Sequence, residues 1–75
     1  MNKYQKKLQQ LANIISKHAK FELKINRKNG YYAVDEYRDT KYMGYLTNGS
    51  FKEVYQYLAG MRDMILIVRA GELPF

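Results

Sequence analysis

Few residues in this chain have the means to do covalent chemistry, and their spacing argues against it. The single histidine, His18, stands between Lys17 and Lys20 at the edge of an apolar stripe. That is the place of a boundary residue rather than of a general base. Asp35, Glu36 and Asp39 are the only acidic cluster. Asp35 and Glu36 are neighbours on an expected strand, so they point to opposite faces and do not chelate together. Ser16 and Ser50 have no base beside them, and Ser50 is better placed as a helix cap. Asn29-Gly30 and Asn48-Gly49 lack the glycine spacing of a phosphate loop. With no cysteine, disulfides and thiolate metal sites are excluded. The expectation is a protein that is not an enzyme, with no cofactor, no metal and no small-molecule substrate.

What remains is binding chemistry, and charge is its first sign. The net charge is +6. Residues 1–30 carry eight basic side chains against Glu22 alone, whereas residues 31–75 carry five basic and six acidic ones. The positive balance therefore belongs to the first part of the chain: Lys3, Lys6, Lys7, Lys17, Lys20, Lys24, Arg27 and Lys28. Such asymmetry implies an anionic partner, with a merely solvated lysine face as the plainer alternative. The second sign is aromatic. Five of the eight tyrosines lie between Asn29 and Tyr45.

These residues need elements to position them. Tyr4, Leu8, Leu11, Ala12, Ile15, His18 and Ala19 recur at helical spacing, which predicts a helix over about residues 2–19. Its opposite face carries the lysines, with Ile14 out of place among them. The segment 21–27 alternates, with Phe21, Leu23 and Ile25 on one side. Asn29-Gly30 then predicts a two-residue type I′ hairpin, which sets Lys28 against Tyr31, Ile25 against Val34 and Lys24 against Asp35. A third strand, 41–46, follows a weaker turn in which Thr40 resists positive φ. A two-residue turn there places Met43 and Tyr45 with Tyr32 and Val34 on the inner face. Tyr37 and Tyr42 then pair on the outer face, near Tyr31, Ala33 and Leu46.

Ser50 and Glu53 form a capping box for a last helix. Its core stripe runs Phe51, Val54, Leu58, Met61, Ile65 and Val68, and Gly71 and Pro74 mark its end. The order is α-β-β-β-α: an α+β single domain spanning 1–75, a three-stranded antiparallel sheet with two helices packed on one face. The longest apolar run, Met64 to Val68, is far short of the roughly 20 residues that span a bilayer. No apolar signal-peptide core follows the basic N-terminus. A cytoplasmic protein without a membrane partner is expected.

Two surfaces stand out as candidates. On the outer sheet face, Tyr31, Tyr37 and Tyr42 are interleaved with Lys24 and Lys28, a pattern suited to base stacking and phosphate neutralisation. With Lys3, Lys6, Lys7, Lys17 and Lys20 these are the candidate nucleic-acid-binding residues. Rings that merely cover an exposed sheet are the alternative. Tyr4, Tyr32, Tyr45 and Tyr55 are assigned to core-facing positions. The second surface is the back of the last helix, where Tyr57, Gly60, Met64 and Ile67 form an apolar stripe that one core does not require. It fits a protein interface, with Leu73 and Phe75 folding back over it as the alternative.

The α-β-β-β-α order is similar to the double-stranded-RNA-binding domain and to small HicA-type toxins built on that fold. "SFKEV" offers Lys52 where the RNA-binding family opens its last helix with several lysines. The toxins' catalytic histidine lies on a strand, and His18 does not. More loosely, the lysine-rich first helix, the hairpin "NGYYAVDEY" and "NGSFKEVYQYLAGM" resemble small proteins of Gram-positive phages and prophages. That resemblance implies an accessory or regulatory role, in some cases inhibition of host defence nucleases. Two functional readings stand side by side: a small basic nucleic-acid-associating module, or a protein-interaction module that docks on a host enzyme or forms a homodimer.

Overall fold

The computed structural model describes residues 2–69. The element order is α1 (Lys3–His18), β1 (Glu22–Lys28), β2 (Tyr31–Arg38), β3 (Lys41–Gly49) and α2 (Phe51–Arg69), with the strands antiparallel in the order β1-β2-β3. The expected α+β architecture is what forms. The termini expected for α2 at Gly71 and Pro74, and the tail residues Leu73 and Phe75, lie outside the described residues.

Local chemistry accounts for each boundary. Asn2 caps α1, its Oδ1 accepting from the Gln5 amide at 2.7 Å. The α2 capping box forms as expected: Glu53 N donates to Ser50 Oγ at 3.2 Å, and Ser50 N donates to Glu53 Oε1 at 2.9 Å. The core is a single cluster of Leu8, Leu11, Ala12 and Ile15 from α1, Leu23, Ile25 and Val34 from the sheet, and Val54 and Leu58 from α2. Both helices therefore cover the inner face of the sheet. Phe21, Tyr32, Leu46, Phe51, Met61 and Ile65 pack around that cluster.

The β1–β2 register is the expected one, with Lys28 opposite Tyr31, Ile25 opposite Val34 and Lys24 opposite Asp35. The turn type is not. Gly30 has φ +77°, but Asn29 is not at positive φ, which is the sign pattern of a type II turn rather than type I′. The pair with positive φ at both positions is instead Asp39 (51°) and Thr40 (66°), in the β2–β3 turn. Cross-strand pairing of Arg38 with Lys41 and of Tyr37 with Tyr42 closes that turn to two residues and forces Thr40 into the region it resists.

The third strand corrects the expected faces. Pairing slips by one residue at Met43 and again at Leu46, two bulges on β3. The first bulge, beside Gly44 at φ +112°, reverses the alternation. Tyr45 consequently sits opposite Asp35 on the outer face, and Met43 and Tyr45 are 51% and 62% exposed instead of buried. The same reversal carries Leu46 to the core side, where it packs against the cluster rather than on the outer face, and the second bulge lets Thr47 follow it there opposite Val34. Tyr4 and Tyr55, also expected inside, are exposed. The small core is closed by Phe51, and both rings lean on it from outside, at centroid distances of 5.0 and 5.7 Å. Tyr32 is half-buried as expected, its hydroxyl accepting from Asn2 Nδ2 at 3.3 Å.

Candidate functional site

The outer face of the sheet is not covered by either helix. Strand alternation brings Glu22, Lys24, Asn26 and Lys28 from β1, Tyr31, Ala33, Asp35 and Tyr37 from β2, and Tyr42, Tyr45 and Asn48 from β3 to this side. Ala33 and Asp35 lie between the longer flanking side chains and are only 6% and 8% exposed. Tyr31, Tyr42 and Tyr45 stand exposed around them. Tyr37 and Tyr42 meet edge to face, with centroids 5.5 Å apart, and Lys24 Nζ lies 4.8 Å from the centre of the Tyr37 ring. That is a cation–π contact, and it holds the ammonium beside the aromatic row.

Two carboxylates belong to this face: Glu22, exposed at the start of β1 opposite Tyr37, and Asp35, buried within it. Asp35 Oδ2 accepts a hydrogen bond from Asn26 Nδ2, so the charge is bonded on its own sheet. Lys24, although opposite Asp35, does not form an ion pair with it. Among the described residues the ion pairs are Arg38–Glu36 and Arg62–Asp63, and no lysine takes part in either. Tyr42 titrates above the ordinary tyrosine value of 10.0, first because water around its hydroxyl is partly displaced and then because of the Asp35 carboxylate, with Tyr37 and Tyr45 adding to it.

At the hairpin end, Arg27, Lys28, Asn29, Gly30 and Tyr31 line an open depression of about 720 Å³. At the β1 edge, Lys17 of α1 and Lys24 line a second groove of about 340 Å³ with Gln9, Asn13, Ser16, Glu22 and Leu23. The ten expected nucleic-acid-binding residues thus divide. Lys24, Lys28, Tyr31, Tyr37 and Tyr42 share the outer face, with Lys17 reaching its β1 edge. Lys3, Lys6 and Lys7 lie on the exposed side of α1, in the other layer, and Lys20, beyond its end, lines a depression with Phe21, Glu22, Tyr37, Asp39 and Thr40.

Two residues of this surface are not apparent from the sequence. Tyr45 is hidden by the bulge, for which Gly44 in an otherwise regular strand is the available signal. Arg27 belongs by alternation to the inner side, but the strand end leaves it in the hairpin depression.

The remaining candidates do structural work. Ser16 Oγ donates to Ala12 O at 2.9 Å and accepts from Leu23 N at 3.0 Å. Glu36 is engaged by Arg38 at 2.6 Å, and Asp39 forms the turn. Tyr57, Gly60, Met64 and Ile67 lie along the back of α2, with Tyr57, Met64 and Ile67 exposed. No helix among the described residues is long and apolar enough to cross a membrane. Comparison with family models, with curated proteins and with solved structures returns no match to this chain.

Proposed function

We propose that this chain is a small, non-enzymatic nucleic-acid-associating module that works through the outer face of its sheet. The observation that supports it is the exposed group Tyr31, Tyr42 and Tyr45, on a face that neither helix covers, next to lysines without carboxylate partners among the described residues. Exposed rings on an open sheet offer π-faces to unpaired bases, and Lys24, Lys28 and Arg27 offer cations to the phosphates between them. A lysine already held against a tyrosine, as Lys24 is, gives up less side-chain freedom on binding than a free one. Asp35 stays clear of the phosphates because it is buried below the rings and bonded to Asn26. Single-stranded nucleic acid suits such a surface better than a duplex, whose bases are already stacked.

The test is alanine substitution of Tyr31 and Tyr45, each read against a short single-stranded oligonucleotide by fluorescence anisotropy. Both side chains are exposed, so the fold is retained, and each substitution is expected to weaken binding by about 1–3 kcal/mol. Unchanged affinity in both variants contradicts this reading.

A further inference from the structure

The back of α2 carries a stripe whose spacing is its own mirror. Tyr57, Gly60, Met64 and Ile67 follow one another at intervals of three, four and three. Read in the opposite direction, the intervals are the same. Two α2 helices laid antiparallel about a two-fold axis level with position 62 bring Gly60 of each copy opposite Met64 of the other. The same operation sets Tyr57 opposite Ile67. A two-fold interface requires this kind of self-complementarity.

Size complements spacing. Met64 is 53% exposed, an unbranched apolar side chain standing off the surface. A Cβ placed on Gly60 meets nothing within 4 Å. No contact within the described chain therefore explains a glycine, which is less favourable than alanine in a helix interior. Opposite Met64 of a second copy, the bare backbone becomes the hole that receives the side chain. Charge does not oppose the pairing: between Glu53 and Arg69 the charged residues are Arg62 and Asp63, which neutralise one another at 3.2 Å. Beyond Leu58, α2 buries none of its described side chains fully, although Met61, Met64, Ile65, Leu66 and Ile67 are all apolar.

We propose that the protein forms a two-fold dimer through antiparallel α2 helices, with Met64 of each copy seated over Gly60 of the other. This is independent of the nucleic-acid reading, because α2 lies on the opposite side of the sheet from the tyrosine face. One helix of about 28 Å supplies less than the roughly 1,600 Å² of a standard interface, so the affinity belongs in the micromolar range.

Sedimentation velocity over a concentration series tests it on three chains: wild type, Gly60→Leu and the exchange Gly60→Met/Met64→Gly. Wild type is expected to dimerise. Gly60→Leu fills open space on the monomer and raises helix propensity, so it folds, but it blocks Met64 of the second copy and weakens dimerisation on the order of ten-fold or more. The exchange regenerates the same glycine–methionine pair on the same axis and restores dimerisation. A wild type monomeric at about 1 mM, the outcome when residues 70–75 or a foreign protein cover the stripe, overturns the proposal. A Gly60→Leu chain that dimerises like wild type, or an exchange that restores nothing, also overturns it.

Discussion

The Ile25 amide donates to Gln9 Oε1 at 2.9 Å, a side chain of α1 standing in for a strand that is not there. β1 is an edge strand, and its outward backbone groups have no ladder partner. Gln9 Nε2 returns a bond to Leu23 O at 3.1 Å, Gln5 Nε2 reaches Ile25 O at 3.2 Å, and Ser16 Oγ takes Leu23 N. Three polar residues of one helix thus seal the edge against pairing with another chain. Gln9 and Ser16 also line the groove that Lys17 and Lys24 share with Glu22.

Removing the middle of that seal is costly. Gln9→Leu keeps the bulk but deprives Leu23 O and Ile25 N of their partners. The expected destabilisation is about 1–2 kcal/mol. Urea unfolding checks it, with Gln10→Leu on the exposed side of α1 expected to stay within about 0.5 kcal/mol of wild type.

The two hairpin turns are expected to respond with opposite signs. Thr40→Gly relieves a β-branched residue at φ +66° and stabilises by about 1 kcal/mol, the relief exceeding glycine's entropy cost. Gly30→Val puts a β-branched residue at φ +77° and destabilises by about 1–2 kcal/mol. Denaturation midpoints of the two variants give both signs.

Glu53 ties helix stability to pH. Its bonds with the Ser50 backbone amide and then the Ser50 side chain hold its carboxyl below the ordinary value of 4.5 in the folded state. A depressed folded value means that the charged form stabilises the fold. The contribution is complete above the unfolded value and is lost as pH falls through the folded one. Glu53→Gln keeps an acceptor but removes the titration. Its melting temperature is expected to approach that of wild type as the pH drops below about 4.5, and to lie below it at neutral pH.

Much of this architecture is legible in the sequence because local signals agree with one another. The alternation of Phe21, Leu23 and Ile25, the turn at Asn29-Gly30 and the pairing of Lys24 with Asp35 all demand one register, and that register forms. The outer placement of Tyr31, Tyr37 and Tyr42 follows from it. Tyr45 is not legible, because alternation counts residues and a bulge adds one without changing composition. The exposure of Tyr4 and Tyr55 is hidden for another reason. Helical spacing says which side a residue lies on, not whether a core this small extends far enough to cover it.

The lysines divide into two groups with different expected effects on nucleic-acid binding. Lys24 and Lys28 lie on the tyrosine face, so changing both to glutamine should reduce the salt slope by about 0.7 for each phosphate left without its cation. Lys3, Lys6 and Lys7 lie in the other layer. Changing those three to glutamine should lower affinity at low salt through the long-range field while leaving the slope nearly intact near physiological salt. Parallel salt titrations of the two variants separate them.

Binding of single-stranded nucleic acid to the outer sheet face is the central claim, and anisotropy titration of labelled single strands and duplexes across a salt series tests it most directly. Binding is expected to be detectable for RNA or DNA single strands at low salt and stronger than for a duplex of equal length. The logarithm of affinity should fall with the logarithm of salt at a slope near −2, as expected for about three phosphates met by Lys24, Arg27 and Lys28. Undetectable binding to every single strand at about 25 mM salt, or a clear preference for duplex, contradicts it.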